Sequence, residues 1–178
     1  MPRLTENWPD PSGHIHPYEF RHPNKLHPDL VSGLGETRLH LSRPMYLTQS
    51  RSARPIHPHG DGVPPDSGSH AVASLHKWSI DHTRSAKQGQ AVFQGSALAR
   101  AQDFDVNTAD PEELWEVYLQ LERLNLWTGI GLYPAWQRPG FHVDLRERDH
   151  PHWGARWYRD AGGTYHRLSW ANWKAVLA

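Results

Sequence analysis

The sequence predicts an α+β domain: a small, mainly antiparallel sheet with helices packed against it. Three stretches carry that prediction. Residues 127–133 and 140–146 read as short strands on either side of a Pro-bounded turn, and two strands around a short turn make a hairpin. Residues 110–124 hold an apolar stripe at helical spacing behind a strong N-cap. In Gly140-Phe141-His142-Val143-Asp144-Leu145-Arg146, Phe141, Val143 and Leu145 fall on one face of a strand and His142, Asp144 and Arg146 on the other. The first row is a core face. The second is too polar to be buried idly, and an imidazole beside a carboxylate is the chemistry of a metal or proton-transfer site. The plain alternative is an exposed strand with an incidental His and Asp.

Composition bounds the rest. The chain has 178 residues, enough for one domain with a real core. Lys and Arg number 19 and Asp and Glu 19, so the charges cancel and neither nucleic acid nor an anionic membrane is an expected partner. No cysteine is present, which excludes disulfides and thiolate metal sites. A metal would have to be held by carboxylates and by some of the 14 histidines. There is no long apolar run and no apolar signal region at the start, so neither a membrane span nor Sec export is expected.

Residues 1–25 are rich in Pro, His, Asn and Gly and read as an extended arm, with residues 26–178 as one domain. His14 and His16 in the arm form a possible metal pair or a chance one. A helix is expected from Pro28, with Leu30, Val31, Leu34 and Leu41 at rough helical spacing and Gly33 and Gly35 weakening its middle. Met45 to Thr48 reads as a short buried strand, followed by Arg51 and Arg54 at its end. Residues 55–69 are loop by composition, and residues 77–95, polar and poorly periodic, are an insertion or lid. Residues 97–106 lead through small residues into a strand carrying Asp103. Asp110, Pro111 and Glu113 then make an N-cap, a first-turn proline and a capping box for the helix whose stripe is Leu114, Val117, Tyr118, Leu121 and Leu124. A terminal helix is expected after Ser169, burying Trp170, Trp173, Val176 and Leu177.

Over about residues 26–157 these motifs resemble the superfamily of zinc D-Ala-D-Ala carboxypeptidases and peptidoglycan endopeptidases, in particular its small phage and prophage members. The specific part is Gly129-Ile130-Gly131-Leu132-Tyr133, a turn, Phe141-His142-Val143-Asp144-Leu145-Arg146, then Arg156-Trp157. Ser74-Leu75-His76 matches the first half of the family's other zinc motif and Ala99-Arg100-Ala101-Gln102-Asp103 the second, with the insertion between them and Ala99 where Gly is usual. The resemblance implies a hedgehog-like or DD-peptidase-like fold and a zinc ion on His76, Asp103 and His142 with a fourth position open for water. A competing alignment puts Ser96 in the histidine slot, and His70 and His82 are nearby substitutes. Arg51 or Arg54 would hold a substrate carboxylate, or stand on a solvated loop. The family's acid three residues before the second zinc histidine is Pro139 here. Asp144 is the candidate general base, or else the partner that orients His142 or pairs with Arg146. Two functions follow as expectations. One is a zinc peptidase cutting peptide stems of bacterial cell wall, made in the host cytoplasm or carried in the virion. The other is a non-catalytic virion component, tail or capsid, on the same fold.

Overall fold

The computed structural model describes residues 8–20, 23, 26–47 and 99–177. A six-stranded open sheet is its frame, in the order β1-β2-β4-β3-β5-β6. The strands are β1 (Tyr46–Leu47), β2 (Ala101–Asp105), β3 (Gly129–Tyr133), β4 (Gly140–Asp144), β5 (Arg156–Arg159) and β6 (Tyr165–Arg167). All neighbouring pairs are antiparallel except β3 and β5, which run parallel. The expected α+β class and the β3–β4 hairpin are therefore present. The hairpin register pairs Gly129 with Asp144 and Tyr133 with Gly140.

Among the described residues three α-helices accompany the sheet, α1 (Pro28–His40), α2 (Pro111–Leu124) and α3 (Trp170–Leu177), besides a 3-10 turn at Pro17–Glu19. Each starts where local chemistry dictates. His27 Nδ1 accepts the Asp29 N–H at 3.2 Å ahead of α1. Asp110 caps α2 by accepting the Glu112 N–H at 2.8 Å and the Glu113 N–H at 3.3 Å, with Pro111 in the first turn. The reciprocal bond of a capping box is absent. The Glu113 carboxylate turns to the Thr108 hydroxyl and to Arg43 instead, and the Asp110 N–H donates to Thr108 Oγ1 at 3.1 Å. Asn125 ends α2 in the left-handed region, with φ of 51°.

One face of the sheet and the helices share a single core. Phe104, Ile130, Leu132, Phe141 and Val143 meet Leu30, Val31 and Leu34 of α1, Leu114, Val117 and Leu121 of α2, and Trp173 of α3, all fully buried or nearly so. At Gly33 and Gly35 other side chains lie close against α1. A Cβ at Gly33 would press on the Trp127 ring, and one at Gly35 would overlap the Asp10 carboxylate. The weakness they bring to the helix is exchanged for packing.

Two expectations need correcting here. Residues 8–20 are not an extended arm: Ile15 and Phe20 are 1 % exposed and belong to the core. Arg38 of α1 holds that segment with a bidentate pair to Glu19, at 2.8 and 2.6 Å, and donates to the His14 carbonyl at 2.7 Å. The prolines set its backbone direction, but its few large apolar residues decide where it goes. In α3, Trp173 is buried while Trp170 is exposed, its ring tilted against Trp115 with centroids 5.1 Å apart. No helix among the described residues is long and apolar enough to cross a membrane.

Candidate functional site

The face of the sheet away from the helices carries the polar row. Period-2 alternation puts Ala101, Asp103 and Asp105 of β2, Gly140, His142 and Asp144 of β4, Gly129, Gly131 and Tyr133 of β3, and Trp157 of β5 on that side. Register then aligns them across the strands. Asp103 pairs with His142, His142 with Gly131, and Gly131 with Trp157. Two of the expected ligands, 39 residues apart in sequence, thus face each other as direct cross-strand neighbours.

The imidazole of His142 lies between two carboxylates. Nδ1 is 2.9 Å from Asp103 Oδ1 and Nε2 is 3.0 Å from Asp144 Oδ2. Burial alone would depress the imidazole pKa, but hydrogen bonds to Asp103 and Asp144 raise it to about 9. The ring therefore carries a proton on each nitrogen when nothing else binds it. Asp144 is fully buried, and burial opposes its charge. Bonds from His142 and Arg146 outweigh that and hold its carboxyl below the usual carboxylate range. Arg146 donates from Nε to both Asp144 oxygens at 2.9 Å and from Nη2 to Oδ2 at 2.7 Å. Its Nη1 donates to the His152 carbonyl at 3.0 Å, so the guanidinium is fixed from two sides.

Aromatic groups close the other end of the row. Because Gly131 has no side chain, the Trp157 indole lies across it and reaches His142 with ring centroids 5.4 Å apart; a Cβ there would overlap the indole. Arg146 sits over the same indole, its Cζ 5.0 Å from the ring centre. Trp157 Nε1–H donates to the Tyr133 hydroxyl at 3.1 Å. The Tyr133 phenol is pushed well above its ordinary pKa by burial first, the Asp103 carboxylate adding to it, so it stays protonated. Arg156, by contrast, is structural. It pairs with Glu122 at the end of α2 and donates to the carbonyls of Trp127 and Thr128 at 3.2 and 3.3 Å.

Asp103 and His142 are donors that zinc accepts, and they stand side by side. Asp144 is on the opposite edge of the imidazole from Asp103, so these three do not converge on one point. Among the described residues no group of three His, Cys, Asp or Glu is arranged to hold a metal. A complete site needs a further ligand. His76, and Arg51 and Arg54, expected to hold a substrate carboxylate, lie outside the described residues, as do His70, His82 and Ser96. Tyr133 and Trp157 were visible only as members of a motif. The alternation of β3 with Gly129 and Gly131 already puts Tyr133 on the His142 face. Nothing local signals Trp157, because its place depends on the parallel β3–β5 pairing.

Comparison of the chain with protein-family models, with curated proteins and with solved structures returns no match.

Proposed function

We propose that the chain is a zinc-dependent peptidase that cleaves the peptide stems of bacterial peptidoglycan, encoded by a phage or prophage, with His76, Asp103 and His142 as the metal ligands. One observation carries the reading: an imidazole and a carboxylate on neighbouring strands, in register and 2.9 Å apart, with a second carboxylate bound to the far nitrogen of the same ring. A carboxylate behind a ligating histidine is the usual means of fixing its tautomer and orientation. Zinc bound there would supply a Lewis acid for the scissile carbonyl and a water of lowered pKa.

The chain's own residues divide the remaining tasks. His142 would face the ion through Nδ1, the nitrogen on the Asp103 side, while Asp144 keeps Nε2 protonated. Arg146 keeps Asp144 charged. A carboxylate so well supplied with donors is a weak base, which favours the orienting role for Asp144 over that of proton shuttle. Trp157 and Tyr133 wall the far side, exclude water from it and keep the imidazole upright.

Metal analysis of untagged protein, purified without chelator, tests the reading together with muropeptide cleavage. The wild type should carry about one zinc per chain. His142→Ala and Asp103→Ala should lose both zinc and cleavage, and Asp144→Asn should bind zinc about 10–100-fold more weakly. Less than about one zinc per ten wild-type chains, or cleavage that survives His142→Ala, would sink the proposal. Zinc-free wild-type protein that still assembles fully into particles would point to the structural virion role instead.

A further inference from the structure

A cleft of about 200 Å³ is lined by Tyr133, Ala135, Trp136, Arg159, Asp160 and the 161–163 turn. Tyr133 connects it to the Asp103–His142 pair, since its hydroxyl accepts from Trp157 and Trp157 touches His142. The cleft has an aromatic wall and a cationic end. Tyr133 and Trp136 stack nearly parallel, with centroids 4.1 Å apart and planes 13° off. Arg159 is anchored on its inner edge: Nε donates to the Gly163 carbonyl at 3.1 Å, and Cζ lies 5.5 Å over the Tyr165 ring. Its Nη1 and Nη2 have no hydrogen-bond or ion-pair partner among the described residues. Asp160 brings the opposite charge to the lining, but its oxygens are engaged elsewhere. Oδ1 accepts the Thr164 N–H at 2.8 Å and Oδ2 faces His166 Nε2 at 2.7 Å.

A guanidinium that lines a cleft, held through Nε and with no protein partner on its Nη groups among the described residues, can take a planar anion. The stacked rings beside it suit the apolar stem of the group that carries that anion. We propose that this cleft is a subsite for a carboxylate of the peptide substrate, gripped by Arg159, so that a charged group away from the scissile bond positions the peptide over His142. The proposal rests on the peptidase reading for the identity of the ligand. It does not draw on Arg51 or Arg54, which lie outside the described residues.

Calorimetric titration of zinc-free protein with a soluble stem pentapeptide, L-Ala-γ-D-Glu-L-Lys-D-Ala-D-Ala, tests it. Two further peptides carry a carboxamide in place of either the internal or the terminal carboxylate. Arg159→Gln should weaken binding of the unmodified peptide at least about tenfold, and Arg159→Lys by less, because lysine keeps the charge but not the fork. One of the two amidations should weaken wild-type binding by the same factor and have no effect on Arg159→Gln. Equal affinity of wild type and Arg159→Gln would overturn the subsite, as would amidation effects that simply add to the mutation. Circular dichroism of both variants checks that they are folded. The two readings fail separately. Zinc and cleavage with Arg159-independent binding would remove the subsite alone, and Arg159-dependent binding without zinc or cleavage would remove the peptidase alone.

Discussion

At Gly131 the space of a side chain is taken by the Trp157 indole, and through it this one position controls the wall of the candidate site. A methyl group there cannot be accommodated without moving the indole off His142. Gly131→Ala should therefore destabilise the protein by about 1–3 kcal/mol, the usual cost of overpacking. It should also change the near-ultraviolet circular dichroism of the tryptophans. Urea unfolding of the variant checks the first, and a midpoint equal to that of the wild type would show that Trp157 does not lie where described. The same scale explains why Asp144 differs from Asp103. Both flank His142, but Asp144 is sealed and bonded to Arg146 while Asp103 keeps about a sixth of its side chain exposed. Only the second can meet an incoming ion or substrate.

Among the elements, the segment 8–20 has one 3-10 turn, Pro17–Glu19, and is held by a few polar anchors as well as by Ile15 and Phe20. Asp10 is the chief polar anchor. Its Oδ1 accepts the Ser12 N–H at 3.0 Å and the Ser12 hydroxyl at 2.6 Å, and its Oδ2 accepts the Ile15 N–H at 2.6 Å. Burial pushes the carboxyl up, but those donors prevail and hold it below its ordinary value of 3.8. A carboxyl whose folded pKa is depressed binds fewer protons folded than unfolded. Its contribution to stability is present in full above the unfolded value and is lost as the pH falls through the folded one. Thermal melts of wild type and Asp10→Asn between about pH 7 and pH 3 should show a gap that narrows toward the acid end. A gap that stays constant would mean that Asp10 is not charged in the fold. How legible the elements were follows from how local their causes are. The start of α2 could be read from Asp110 and Pro111, because a cap acts within one turn. Strand β6 was not anticipated, because Tyr165-His166-Arg167 has no apolar alternation and is a strand only through its pairing with β5.

For the whole molecule, the consequence is that the segment 8–20 contributes to the core through Ile15 and Phe20. Ile15 and Phe20 each bury a large side chain in the cluster that also holds α1 and the sheet. Full burial of such a side chain stabilises a protein by about 1.5–3 kcal/mol. Deleting residues 1–20 should accordingly lower the unfolding midpoint and broaden the transition, measured by urea denaturation followed by tryptophan fluorescence. A truncated chain as stable as the full one would restore the picture of a free arm.

By itself the sequence determined the α+β class, the hairpin, the capped helix and the face on which His142 and Asp144 stand, since each depends on alternation, turn chemistry or capping within a dozen residues. Only the tertiary structure decided that Asp103 is the cross-strand neighbour of His142 and that Trp157 lies across Gly131 against the same imidazole. Those meetings depend on the order and register of strands far apart in the chain, which are set by how one face of the sheet buries itself against α1, α2 and α3.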